Sequence, residues 1–351
     1  VISPAAARER LDRLWSRGRA LLGVDIAILG GAMTWISERR LVAAISNAGG
    51  FGVIACGSME PDRLREEIRA TRALTDRPFG VNLIVMHPGL ADLAAVCVEE
   101  KVGHVVLAGG LPPTECMQQL RVGGCRVIGF APALAIARKL QRSGIDALII
   151  EGSEAGGHIG AVSTAVLAQE ILPEMRDLPV FVAGGIGRGE AMLAYLEMGA
   201  AGVQLGTRFV CASESIAHPR FKQAFLRAAA RDAVPSPQLD PRFPVIPVRA
   251  LANAGTARFV AFQREMIQRF DRGEVNREQA QLQIEHFWAG ALRRAVIEGD
   301  VENGSLMAGQ SVGLVTREQS TRSIIEELVD QAVASVRARD AAEPHPRRAA
   351  E

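Results

Sequence analysis

Eight short apolar runs recur along the first 207 residues, and stretches with helical spacing separate them. The runs are DIAILGG (25–31), GVIA (52–55), FGVNLIV (79–85), HVVLAGG (104–110), RVIGFAP (126–132), ALIIEG (147–152), PVFVAGG (179–185) and AGVQLGT (201–207). Each is close to continuously apolar, without the alternation of a half-exposed strand, as parallel strands covered on both faces are. Between them, residues 60–74 place Leu64, Ile68 and Leu74 on one side of a charged helix. Residues 133–144 and 188–199 repeat the theme and end at Gly144 and Gly199, where a helix C-cap glycine belongs. Eight strands, seven intervening helices and an eighth helix after Thr207 predict an α/β fold, a TIM-like (β/α)8 barrel over residues 1–231. An open doubly wound sheet is the alternative; eight units without a long interruption suit closure better.

The pattern changes after residue 231. Residues 233–247 carry Pro235, Pro237, Pro241, Pro244 and Pro247 and read as an extended connection. Helical spacing returns over 257–271, 276–299 and 317–338, with a glycine-containing loop at 299–313. With no strand-like run in this third, residues 232–340 are expected to form a small C-terminal helical cap on the substrate side, and 341–351 a flexible tail.

Composition narrows the function classes. A chain that is 48% hydrophobic and 23% charged has the balance of a soluble globular protein. A net charge of +1 gives no reason to expect nucleic acid or a membrane surface as partner, and no apolar run is long enough to span a bilayer. The amino-terminal residues are charged and amphipathic, unlike a secretory signal. Cys56, Cys97, Cys116, Cys125 and Cys211 are odd in number and widely spaced, which fits reduced thiols and a cytoplasmic location, with Cys56 and Cys211 read as small buried hydrophobes.

Chemistry is expected at the carboxyl ends of the barrel strands. Gly184 and Gly185 end the seventh run, and Gly206 and Thr207 the eighth. Their amides and the Thr207 hydroxyl form a candidate phosphate cup, the recurrent use of those two loops in this fold; tight turns alone are the alternative. Asn82, a polar amide inside an apolar run, either bonds backbone or meets a ligand ring. His158 follows the sixth run behind Gly156 and Gly157, and an imidazole there can accept or donate a proton during turnover. No second ligand stands at metal spacing, so no metal is expected, and no G-x-S-x-G suggests a nucleophilic triad. His87 is read as a pocket-rim residue, His104 as lying at the wrong end of the barrel, His218 and His286 as structural, and His345 as part of the tail. GGIGRG (184–189) lacks the dinucleotide-binding spacing.

Together GGAMTW, ISNAGGFGVIACG, RPFGVN, EAGGHIG, AGGI, QLGTRF and MAGQSVGLV resemble the flavin-dependent nitronate monooxygenase (2-nitropropane dioxygenase) family, which includes the enoyl-acyl-carrier-protein reductase II enzymes. EAGGHIG followed by QLGTRF is the specific part. The resemblance implies a TIM-like barrel holding one non-covalent FMN. It implies flavin contacts from Asn82, Glu151, Gly156, Gly185, Gln204, Leu205, Gly206 and Thr207, backbone of Ala32 and Met33 beside the ring, and His158 as catalytic histidine. The family's first strand commonly ends Gln-Gly-Gly-Met; here Gly30 replaces the glutamine. The proline-rich segment also departs from the typical enoyl reductase, whereas GDVENGSLMAGQ resembles it closely.

The function expected from this resemblance is oxidation of alkyl nitronates with dioxygen by an FMN-dependent oxidoreductase. The alternatives are NAD(P)H-dependent reduction of an enoyl thioester and an NAD(P)H:quinone reductase, with NADH or NADPH as reductant. A flavin-binding protein without catalysis would be expected to lack His158. The partner is a small-molecule substrate, and the cap offers a surface for a homodimer.

Overall fold

The computed structural model describes residues 2–245 and 247–342. All eight apolar runs are strands: β1 (Ile28–Gly30), β2 (Gly52–Ala55), β3 (Phe79–Ile84), β4 (His104–Ala108), β5 (Arg126–Phe130), β6 (Ala147–Glu151), β8 (Val180–Ala183) and β9 (Gly202–Leu205). Between β6 and β8 lies a two-residue strand, β7 (Gly157–His158). The eight long strands pair in parallel in the order β1-β9-β8-β6-β5-β4-β3-β2. A parallel bridge between Leu29 and Phe51 joins β1 to β2, so the ring closes as a (β/α)8 barrel. Closure explains the missing alternation, since each strand is packed inside by barrel side chains and outside by helices.

The short helix Ser16–Leu22 covers the amino end of the barrel, where His104 Nε2 lies 2.8 Å from the Leu21 carbonyl oxygen. His104 therefore sits at the end remote from the expected chemistry. His218 caps the helix Pro219–Arg227 by accepting from the Arg220 N–H. His345 lies outside the described residues, as does most of the expected tail 341–351. All five cysteines are free and buried, and burial pushes the Cys56 and Cys211 thiols up to about 12.

The carboxyl-terminal third departs from an all-helical cap in two ways. It contains strands β10 (Ala233–Pro235) and β11 (Val248–Leu251), which form a three-stranded antiparallel sheet in the order β10-β11-β7. VRAL was long enough for a strand, but its flanking prolines disguised it; Pro235 and Pro247 sit at strand ends, where a missing N–H is tolerated. Second, the last helix, Thr321–Ala342, packs against Gly189–Glu197 and Arg39–Asn47 in the outer ring of the barrel. The short helix after Thr207 spans Thr207–Val210, so the long outer helix beyond β9 comes from the end of the chain. The segment between carries its own small core of Phe243, Phe259, Met266, Val275, Ala280 and Ile284, next to Phe270, Phe287 and Trp288.

Gly189 marks where the last helix docks. A Cβ there would overlap the Leu328 carbonyl. Gly189→Ala is expected to cost about 1–3 kcal/mol as an overpacked contact, read as a lower denaturant midpoint with an unchanged slope.

Candidate active site at the carboxyl end of the barrel

The register places the polar strand residues at the carboxyl ends. Glu151 pairs with Ala183, Ala183 with Gln204, and Gln204 with Leu29, so Glu151 and Gln204 flank Ala183 in one row. Asn82 comes from β3, between Ala55 and Val106. It is 5% exposed, and its Nδ2 donates to the Val106 carbonyl at 3.1 Å, which leaves Oδ1 without a donor among the described residues. Gln204 is 7% exposed, and its side chain makes no hydrogen bond among those residues. Buried amides normally find a partner, so an open bonding edge at a barrel mouth suits a polar ligand.

One residue beyond that row the backbone turns. Gly184 and Gly185 adopt φ of 96° and 73°, conformations that disfavour any side chain. The N–H groups of Gly184, Gly185, Gly206 and Thr207 donate no hydrogen bond within the described residues. Unspent donors at the ends of two adjacent strands suit an anion. The Thr207 hydroxyl accepts from the Gly309 N–H at 3.0 Å, and its own proton stays free to donate. Sequence reasoning missed Gly309 as a support of this site; the signal was the MAGQ motif, with no cue to where it docks.

MAGQ in fact docks on the histidine loop. A Cβ on Gly156 would stand 2.6 Å from the Gly309 nitrogen, and Gln310 N–H donates to the Glu154 carbonyl at 2.9 Å. Gly156 thus admits the returning chain, beside its expected flavin contact. Glu154 uses its carboxylate on the N–H and hydroxyl of Thr164, at 2.8 and 2.9 Å, and so anchors the same loop. Arg249, buried in β11, donates through Nε to the Ser153 carbonyl at 2.8 Å and through Nη1 to the Ala233 carbonyl at 2.5 Å. These bonds hold the loop against the small sheet.

His158 lies in β7, paired with Val248, and is solvent-accessible on that edge. Protein around the rest of the ring pushes the imidazole below its ordinary range, so it is neutral at pH 7 and able to take a proton. Glu151 shows the opposite shift: burial without a charged partner pushes its carboxyl up to about 8. Ala32 and Met33 lie in the turn after β1, where Ser37 Oγ donates to the Gly31 carbonyl at 2.8 Å and accepts from the Met33 N–H at 2.9 Å. At Gly30 a Cβ would meet the end of the Ile45 side chain. The Gln204 amide approaches the Cβ position of neighbouring Gly31 to 3.6 Å. His87 is half-buried in the turn after β3, accepting from the Gly89 N–H.

The sequence profile of the nitronate monooxygenase family matches residues 16–103 and 93–331. The chain belongs to that family. It is 33% identical over 284 residues to a nitronate monooxygenase of Paraburkholderia phytofirmans, covering 68% of this chain and 76% of the relative. A Mycobacterium tuberculosis protein named (3aS,4S,5R,7aS)-5-hydroxy-7a-methyl-1-oxo-octahydro-1H-indene-4-carboxyl-CoA dehydrogenase is 31% identical over 342 residues, 89% of this chain and 94% of that one. Among solved structures, FabK of Thermotoga maritima superposes with a TM-score of 0.82 at 38% identity, covering 93% of this chain and 99% of FabK. The chain is thus an oxidoreductase of a flavoprotein family that acts on small molecules. No helix among the described residues is long and apolar enough to cross a membrane.

The Glu151 shift has a thermodynamic consequence. A carboxyl whose folded pKa lies near 8, above its ordinary 4.5, contributes stability fully present below 4.5 and lost as pH rises through 8. Glu151→Gln is expected to remove that loss. Apo wild type and variant should diverge in unfolding midpoint between pH 5 and 9, the variant holding up better at the alkaline end; parallel curves would mean that Glu151 ionises freely.

Proposed function

We propose that the chain is an FMN-dependent oxidoreductase that oxidises alkyl nitronates with dioxygen. The observation that carries it is the match of the nitronate monooxygenase family profile over residues 16–103 and 93–331, with His158 on an exposed sheet edge able to hydrogen-bond a nitronate oxygen or take the proton of a neutral nitroalkane. The residues present suit FMN. The amides of Gly184, Gly185, Gly206 and Thr207 would take the phosphate, with the Thr207 hydroxyl as a further donor. Asn82, Glu151, Gln204 and Leu205, with backbone at Ala32, Met33 and Gly156, would line the path of the tail and ring. Bound FMN supplies the electron-transfer chemistry. His158 takes the proton from the α-carbon of a neutral nitroalkane, or donates a hydrogen bond to a nitronate oxygen. Glu151, protonated at neutral pH, offers a donor without adding negative charge beside an anionic substrate.

Reduction of an enoyl thioester by NADH or NADPH is the second reading. The 38% identity to FabK and the CoA thioester in the M. tuberculosis relative's name support it. So does Glu151, because protonating the α-carbon after hydride addition needs an acid. The buried free cysteines support a cytoplasmic site of action. The segment with its own small core, between β9 and the last helix, is proposed as the substrate-side cap and as a surface for a homodimer.

Anaerobic mixing of the yellow protein with a nitronate, NADH or NADPH in separate cuvettes separates the readings. Bleaching by nitronate is expected; rapid bleaching by a pyridine nucleotide alone would move the assignment to the reductase. His158→Ala should keep the flavin and lose on the order of a hundred- to ten-thousand-fold in turnover on a neutral nitroalkane. The wild-type rate should fall as pH drops through a pKa below 6.5, because protonation removes the base. That acid limb should vanish in the variant.

A further inference from the structure

Behind the four unspent amides, both halves of the candidate phosphate cup are tied to one helix. Arg208 follows Thr207 directly, is 3% exposed, and donates through Nη1 to the Leu314 carbonyl at 3.1 Å and through Nη2 to Glu327 Oε1 at 3.2 Å. Its Nε is buried without a hydrogen-bond partner among the described residues. Glu327 lies on the last helix and also accepts from Gln319 at 2.8 Å and from Gln331, one turn along, at 3.3 Å. Gln331 Oε1 in turn accepts the Gly189 N–H at 2.8 Å, at the start of the helix that follows Gly184 and Gly185. Gly189 is also where the two helices meet without room for a Cβ. The loop after β8 and the loop after β9 are therefore joined by the chain Gly189–Gln331–Glu327–Arg208, which crosses about 140 residues of sequence.

Arg208 is buried beside Glu327 at 3.2 Å, whereas Arg317, 3.8 Å from the same carboxylate, is 70% exposed and solvated. A buried guanidinium gains from a further anion, because solvent does not screen it. A phosphate on the amides of Gly206 and Thr207 would bring that anion next to Arg208 in the chain.

Resting on the FMN reading, we propose that Arg208, Glu327 and Gln331 are positioning residues for the flavin phosphate. The last helix sets the spacing of the two amide pairs through Gln331 and Glu327, and Arg208 holds a buried guanidinium next to Thr207.

Dissociation constants of FMN and riboflavin, measured by flavin fluorescence on apoprotein, test this. Wild type should prefer FMN; equal binding of both would sink the phosphate cup itself. Gln331→Met keeps a long side chain and removes the bonds to the Gly189 N–H and to Glu327. It is expected to weaken FMN about tenfold, the scale of one hydrogen bond of ordinary strength, and to leave riboflavin within about twofold. Because Glu327→Gln alone would strand a buried cation, the companion is the double variant Arg208→Met/Glu327→Met. It should cut the preference for FMN further while riboflavin still binds. Equal weakening of both flavins, or no change in either, would overturn the proposal while leaving the wild-type preference, and so the FMN reading, intact.

Discussion

The site depends on a close approach between two segments about 150 residues apart. Ala308 and Gly309 pass against Gly156, and the Gly309 N–H bonds the Thr207 hydroxyl. A side chain on either glycine would push the segments apart, since a Cβ on Gly309 would stand 2.8 Å from the Glu154 carbonyl oxygen. That one contact joins the loop bearing His158, the loop bearing Thr207 and the chain returning from the carboxyl-terminal segment. It makes EAGGHIG, QLGTRF and MAGQ one physical unit. Glu154 and Arg249 then hold the unit from either side, through Thr164 and through the Ser153 carbonyl.

Within that frame the ionisable groups are pushed in opposite directions by the same cause. Burial raises Glu151 and lowers His158, so both are uncharged near neutral pH. A barrel mouth holding a neutral acid and a neutral base, with free amides further round, has its electrostatic bias in the backbone donors. Such a site favours an anion at the amide end and leaves the remainder open to proton transfer. Arg208, next to Thr207 in the chain, is buried and paired with Glu327.

The outer ring carries a second consequence. The last helix comes after more than a hundred residues beyond β9, yet packs beside Gly189–Glu197 as a barrel helix. Ile2 also bonds that helix, its N–H donating to Asp340 and its carbonyl accepting from Arg337 Nε at 2.8 and 3.2 Å. The two ends of the described chain are therefore fastened together on the outer wall of the barrel.

Sequence by itself determined the eight strands, their parallel arrangement and the positions of the chemistry-bearing residues. Those depend on local causes: continuous burial leaves apolar runs, and strand-to-loop turns leave glycines such as Gly184 and Gly185. Asn82 and Thr207 could be named as candidates because a polar residue in or after an apolar run stands out one residue at a time, whereas Glu151 and Gln204 were named through the family resemblance alone. Tertiary structure decided the rest. The pairing of His158 with Val248, the docking of Gly309 on Thr207, and the Arg208–Glu327–Gln331 chain each join segments between about 90 and 140 residues apart. No local preference encodes such a contact; it exists because closing the barrel brings these segments together. The protonation states of Glu151 and His158 follow for the same reason, since burial is set by neighbours that arrive only with the fold.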